Sequence, residues 1–444
     1  MITYWPLLRI ENKGRVCKMK LLCQILQKRF SHLKELSIQN VVMDSRKVVA
    51  GSLFFAIQNG NRYVSEALEK GASIVIADHY FEPHERVISV KDTVLFMQEL
   101  AAEYRSFLKT KLIAITGSNG KTTTKDIVYA ILSKTFPTKK TLGNYNNHIG
   151  LPFTILNLEE GDEFAVLEMG MSSFGEIDAL GKIARPDYGI ITNIGDSHLE
   201  FLKTRENVFK AKTELLPYLT QGHFITSGDD IFLKKVSGVH VGYEEGNDYR
   251  IVSYRKKERM TSFQVRGKDY EICLEGKHNV MNAAMGIALA EMIGMKPEEI
   301  QRNLSQIELS PMRFERFEYR GTEYINDAYN ASPISMFAAL DSLEEMKAER
   351  KFAVLGDMLE LGEREIEFHK EVIQKAMSCH LQAVLLYGTR MKLALHKLPF
   401  HEGLYHFESK EAIREYLRKF SEKTVLIKAS RGMKLEDIIE GEEK

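Results

Sequence analysis

Cysteine is scarce in this chain. Four stand among 444 residues, at positions 17, 23, 273 and 379, without metal-ligand spacing. That gives no zinc or disulfide framework and fits free thiols in a reducing compartment, so a cytoplasmic location is expected. Net charge is also missing: Lys plus Arg and Asp plus Glu are each 61. A balanced chain gives no reason to invoke nucleic acid or an anionic membrane surface. No apolar run approaches the ~18 residues that cross a bilayer, so no membrane insertion is expected. There are no internal repeats and no low-complexity segment, and the single tryptophan, Trp5, lies in an N-terminal stretch without clear period. What remains is 44% apolar and 27% charged, a globular composition, at a length that suggests roughly two to four domains.

The most informative stretch is IAITGSNGKTTT, residues 113–124. It reads as a buried strand, Leu112 to Ile115, then a glycine-bounded loop, then the start of a helix (KDIVYAILSK). A strand feeding a tight loop onto a helix N-terminus makes an anion site, because backbone N–H groups and the helix dipole both face the loop. Gly117, Ser118, Asn119, Gly120, Lys121, Thr122 and Thr123 form it. Lys121 supplies a charge for the β- and γ-phosphates, and the Thr122 hydroxyl is a ligand for Mg²⁺. The spacing departs from G-x-x-x-x-G-K-S/T: Ile115 stands where the first glycine belongs, and Gly117 lies only three residues before Gly120. A nucleoside triphosphate is the expected ligand.

The rest of the chain alternates strands and helices. Residues 1–18 read as an extension outside the fold, with MKLLCQILQKRF starting at Met19 like a natural beginning. Residues 19–108 form a small α/β domain, with a Ser-Arg-Lys turn between two apolar runs and an αβ pair joined at Gly71. Residues 109–310 hold the phosphate loop, strands at 164–169, 188–195 and 223–228, a hairpin-rich stretch at 240–275, and a helix over 279–294. Residues 311–444 alternate again in a doubly wound, mostly parallel pattern.

In such sheets ligands sit at the carboxyl ends of strands. The phosphate loop, Glu168 (ending FAVLE) and His198 (in GDSHLE) all fall there. Alone, a Glu at a strand end is a solvated cap and a His near a turn is structural. Together with Thr122 beside bound phosphates they make a divalent-metal site. In ENVFKAKTELLPYL, Val208, Ala211, Leu215 and Leu219 mark a buried helical stripe. Lys212 falls on its edge, where spacing alone favours a snorkelling lysine, and Lys210 points away. Asn144, Asn146 and Asn147 lie on an amide-rich loop that simple turn chemistry also explains. Asn279 reads as an ordinary N-cap, with Asn282 one turn in. Arg313 is placed to meet a phosphate, and Asp327, at a strand end, to accept from ribose hydroxyls.

TGSNGKTTT, EMGM, NIGDSHLE, FKAKTEL, GKHNVMNAA, PMRFE, NDAYNASP and LGDM, in this order from about residue 40 onward, resemble the Mur ligase family. These are ATP-dependent amide-bond ligases of peptidoglycan precursor synthesis. GNYNNHIGLP, LEMGM, NDAYNASPISM and LGDMLELGE are similar to the members that join D-alanyl-D-alanine to UDP-N-acetylmuramoyl-tripeptide. The resemblance implies an α/β fold of three domains: an N-terminal one for the UDP end, a central P-loop ATPase and a C-terminal Rossmann-like domain. It implies ATP and Mg²⁺ as cofactors, an acyl-phosphate intermediate, and a monomer in the cytoplasm. It assigns Lys121, Lys212, Glu168 and His198 to catalysis; Thr122, Glu168, His198 and a carbamylated Lys212 to metal; Asn282 to adenine; Asp327 to ribose; and Arg313 to the nucleotide. Ser45 and Arg46 are assigned to the UDP end, and Asn144, Asn146 and Asn147 to substrate.

Two departures stand out. After LFFAI the family carries a longer loop with an Asp-Gly-His run, whereas QNGNRYVSEAL is shorter and lacks it, so the UDP end is expected to be held differently. The Asn-His-Pro usual after EMGM is Ser172, Ser173 and Phe174, in a loop that bears on the acceptor peptide. The rival readings are another Mur ligase, a folylpolyglutamate synthetase-like amide ligase, and a P-loop regulator that binds nucleotide without ligation.

Overall fold

A computed structural model describes residues 18–80, 82–257 and 260–440. Of the extension expected over residues 1–18, all but Lys18 lies outside the described residues, Trp5 and Cys17 with it. Three sheets are present among the described residues, of four, nine and six strands. The chain divides into two compact units. One holds the described residues up to Thr110 with His148–Glu163 and Lys182–Ala184; the other holds Lys111–Asn147, Phe164–Gly181 and the chain from Arg185 onward.

The first unit is built on a parallel sheet in the order Asn40–Val42, Ser52–Ala56, Ile74–Ala77, Val87–Ser89. Ser52–Ala56 is buried at every position, as a parallel strand covered on both faces must be. The Ser-Arg-Lys turn is a single 3₁₀ turn, Ser45–Lys47, capped by the Asp44 side chain. The Asn-rich segment yields an element that its polarity concealed: Gly150–Leu156 is a helix packed on Thr93–Phe107.

In the second unit the nine-stranded sheet is parallel from Thr138–Lys140 at one edge to Tyr249–Lys257, then closes with two antiparallel hairpin strands, Met260–Val265 and Lys268–Ile272. Its pivot is Lys111–Thr116. Phe164–Glu168 pairs on one side and Tyr188–Ile191 on the other, so the strand order reverses here. A crevice at such a reversal is where a doubly wound sheet binds its ligand. The strand expected over 188–195 stops at Ile191 because Thr192 to Gly195 turn to bond the phosphate loop. Over the sheet lies Lys277–Ile293, buried nearly all round with small residues facing the helix Lys121–Ser133. A Cβ at Gly286 would meet Ile127 Cγ2 at 3.0 Å, so the two helices approach too closely for a larger residue. Asn279 is not the N-cap: Gly276 is, and the Asn279 amide donates to Glu275 O at 2.7 Å inside the first turn.

The six-stranded sheet runs Glu315–Tyr319, Thr322–Asn326, Lys423–Lys428, Lys351–Gly356, Ala383–Tyr387, Leu404–Phe407. The first pair is an antiparallel hairpin and the rest are parallel. The edge strands Glu315–Tyr319 and Leu404–Phe407 and the short helix Thr389–Leu395 carry too little period to be read from sequence.

Candidate active site

The phosphate loop leaves Lys111–Thr116 and opens the helix Lys121–Ser133. Gly117 and Gly120 have φ of 147° and 80°. A Cβ at Gly117 would fall 1.9 Å from Thr192 Oγ1, and one at Gly120 2.8 Å from Asn282 Oδ1. Both positions therefore require glycine by backbone and by space. Gly120→Ala is expected to lose about 1–2 kcal/mol for the left-handed backbone alone, read as a lower denaturation midpoint. The next strand end braces the loop. Asn119 N–H donates to Asn193 Oδ1 at 3.1 Å, Asn193 Nδ2 donates back to Asn119 O at 3.0 Å, and Gly195 N–H donates to Ser118 Oγ at 2.9 Å. Lys121 Nζ folds onto Gly117 O at 2.9 Å. Burial lowers the Lys121 pKa, and Glu168 partly offsets this.

This loop borders a cavity of about 640 Å³, which Glu168, His198, Asn282, Arg313 and Asp327 also line. Thr122 Oγ1 donates to Glu168 Oε2 at 2.9 Å, and Asn146 Nδ2 donates to Glu168 Oε1 at 2.9 Å. Two hard oxygen ligands thus stand together beside the phosphate position, which suits Mg²⁺. Among the described residues no group of three or more His, Cys, Asp or Glu gathers to hold a metal. Asn147 lines the cavity, whereas Asn144 is exposed and does not.

His198 sits at φ 56° ahead of the short helix Leu199–Leu202. Its Nδ1 is 2.7 Å from Glu360 Oε2. Burial lowers the His198 pKa, while the bond to His198 holds the Glu360 carboxyl low. A neutral imidazole beside an ionised carboxylate carries its proton on Nδ1, which leaves the Nε2 lone pair free. Lys212 corrects the snorkelling reading. The helix Arg205–Thr213 ends sooner than its pattern suggested, Leu219 is only half-buried, and Lys212 is 1% exposed. Burial pushes its pKa well down, the Lys121 charge adds to this, and among the described residues no carboxylate opposes it. Lys210 is exposed, as expected.

The C-terminal sheet contributes directly. Arg313 donates to Thr122 Oγ1 at 3.0 Å and stacks 3.9 Å over the Tyr329 ring. Asp327 is paired with Lys428 Nζ at 2.6 Å. Ser332 Oγ donates to Asn119 Oδ1 at 2.7 Å. Glu360, Lys428, Tyr329 and Ser332 were not singled out from the sequence. LGDMLELGE and NDAYNASP were the signal for three of them; nothing local marked Lys428.

Ser45 and Arg46 lie in the first unit. Ser45 is buried and its carbonyl accepts from Lys70 Nζ at 3.0 Å, while Arg46 is exposed and paired with Asp44 at 2.8 Å. A separate cavity of about 760 Å³ in that unit is lined by Gln58, Asn61, Arg62, Asp78 and His79 among others, without Ser45 or Arg46. It follows the carboxyl ends of Ser52–Ala56 and Ile74–Ala77.

Residues 115–290 match the Mur ligase middle domain and residues 312–431 the Mur ligase glutamate ligase domain. The UDP-N-acetylmuramoyl-tripeptide–D-alanyl-D-alanine ligase of Bacillus subtilis is 39% identical over 422 residues, 90% of this chain and 92% of that protein. The chain belongs to the Mur ligase family. Among solved members of that family, MurF from Acinetobacter baumannii superposes with a TM-score of 0.85 at 26% identity, over 95% of this chain and 98% of that one. MurF from Thermotoga maritima, in complex with ADP, superposes with a TM-score of 0.80 at 29% identity, over 90% and 96%. The three-domain Mur ligase architecture expected from the motifs is thus present, and the chain is a ligase.

Proposed function

We propose that this chain joins D-alanyl-D-alanine to UDP-N-acetylmuramoyl-tripeptide, consuming ATP and releasing ADP and phosphate. One observation supports this above the others. A phosphate loop, an oxygen ligand pair and an arginine from the segment leading into the C-terminal sheet converge on one cavity at the strand-order reversal.

The chemistry suits such a site. A carboxylate is a poor acyl donor because its leaving group would be oxide. An oxygen of the tripeptide's terminal carboxylate attacks the γ-phosphorus of ATP, the bond to ADP breaks, and an acyl phosphate forms. The amine of D-alanyl-D-alanine attacks the acyl carbon; the tetrahedral intermediate expels phosphate and loses a proton to leave the amide. Carboxylate and triphosphate are both anionic, so fixed positive charge must offset their repulsion. Lys121 and Arg313 provide it from two sides. Thr122 and Glu168, with His198 and a carbamylated Lys212, would hold Mg²⁺, which when bound would supply charge to neutralise the phosphates. Asn146 orients Glu168. Asn282 faces the adenine, and Asp327, set by Lys428, the ribose.

On this reading residues 19–108 hold the UDP end, 109–310 hold the nucleotide, and 311–444 form the C-terminal domain. No helix among the described residues is long and apolar enough to cross a membrane, and a cytoplasmic enzyme is proposed. Phosphate release with purified protein, ATP, D-alanyl-D-alanine and a panel of UDP-MurNAc-peptides tests the reading. Release should require both acceptor and tripeptide; equal release without either would support a nucleotide-binding regulator instead.

A further inference from the structure

We infer that Asp126 is a positioning residue for the nucleotide site: its buried carboxylate latches the linker that carries Arg313 and so sets where that guanidinium stands over Thr122. Asp126 is fully buried on the helix Lys121–Ser133, one turn beyond Thr122. Residues four apart share a helix face. Along that face the linker between Pro297–Leu304 and Glu315–Tyr319 is held twice. Ser310 N–H donates to Asp126 Oδ2 at 2.8 Å, and three residues later Arg313 donates to Thr122 Oγ1 at 3.0 Å.

The segment around Arg313 needs holding. Met312 and Phe314, on either side of it, have φ of 59° and 55°. A bulky residue rarely adopts the left-handed region, and it stays there only where the surroundings over-determine it. Beyond Arg313, Phe314 N–H donates to Asp327 Oδ1 at 3.1 Å. Before it, Met312 N–H donates to Glu315 Oε2 at 3.0 Å within the segment itself, and Ser310 N–H ties the segment to the phosphate-loop helix through Asp126.

Asp126 is itself fixed. Lys140 Nζ bonds Asp126 Oδ1 at 2.7 Å, Lys125 Nζ approaches to 3.5 Å, and Oδ2 is left for the linker. Burial alone would raise the Asp126 pKa; the two lysines and the linker bond outweigh it and leave the carboxyl below its usual range. Apolar side chains of the same volume would pack this face at no desolvation cost. A paired anion adds what they lack, a directed acceptor for one backbone N–H.

The inference rests on the reading that the cavity takes a nucleotide, and ADP titrated calorimetrically into the full chain separates the two. Wild type should bind ADP; failure to bind overturns the nucleotide reading itself. Ser310→Pro deletes the donor and leaves the Asp126 ion pairs intact, and Asp126→Leu removes the acceptor. Each should weaken ADP about tenfold, within the range of couplings inside one network. Each should raise the KM for ATP and leave that for D-alanyl-D-alanine unchanged. In an Arg313→Ala background the same changes should weaken ADP less than about twofold further, because the residue they position is gone. Additive losses, or unchanged ADP affinity in a folded variant, overturn the latch. Should Ser310→Pro not fold, Asp126→Leu completes the same cycle.

Discussion

Lys121→Ala is expected to abolish ligation. Removing one stabilising donor at a charge-developing centre typically lowers the rate about 10²–10³-fold, and here a full charge is removed from a site that brings two anions together. The side chain now satisfies itself on Gly117 O and Ser118 O, carbonyls of the loop it would leave to reach a phosphate. Truncation removes a cation that acts on buried Glu168, but the carboxylate keeps its bonds from Thr122 and Asn146, and the melting temperature should change little. Phosphate release by the purified variant is the measurement. Activity within tenfold of wild type would refute the phosphate-loop assignment.

The second large effect is at Lys212. A free lysine with a pKa near 10.4 offers little neutral amine at pH 7. Burial, with the charge of Lys121 added to it, pushes Lys212 well below that value. A neutral amine adds CO₂ and releases a proton, replacing a cation with a carbamate whose two oxygens are hard ligands for Mg²⁺. Lys212→Ala should be nearly inactive, and added formate should restore part of the activity by filling the vacated space. Lys210→Ala, at an exposed position on the same helix, should be mild. Equal damage from both, with no rescue by formate, would contradict the carbamate.

The phosphate loop was legible because its chemistry is local: strand, loop and helix start lie within a dozen residues, and two glycines mark the tight backbone. Glu168 and His198 were legible because a doubly wound sheet brings strand ends together wherever they fall in sequence. What supports these residues was not. His198 meets Glu360 across 162 residues, Ser332 meets Asn119 across 213, and Lys428 meets Asp327 across 101. No local pattern encodes such pairs; the packing of the six-stranded sheet beside the phosphate loop creates the first two, and the parallel pairing of Thr322–Asn326 with Lys423–Lys428 creates the third. The Lys212 case shows the same limit. Periodicity names the face of a helix, whereas the depth of burial depends on what covers that face. The strand predicted over 188–195 holds only to Ile191 for a related reason: TNIG follows the apolar run without a break signal, yet its polar atoms bond Ser118 and Asn119.

The central claim is that phosphate leaves from an acyl phosphate on the tripeptide. The most direct test uses UDP-N-acetylmuramoyl-tripeptide labelled with ¹⁸O in its terminal carboxylate, together with ATP and D-alanyl-D-alanine. The oxygen that attacks the γ-phosphorus stays with that phosphorus when the tetrahedral intermediate collapses. Mass spectrometry of the released phosphate should therefore find one ¹⁸O in each. Phosphate free of label, formed alongside the amide product, would contradict the account.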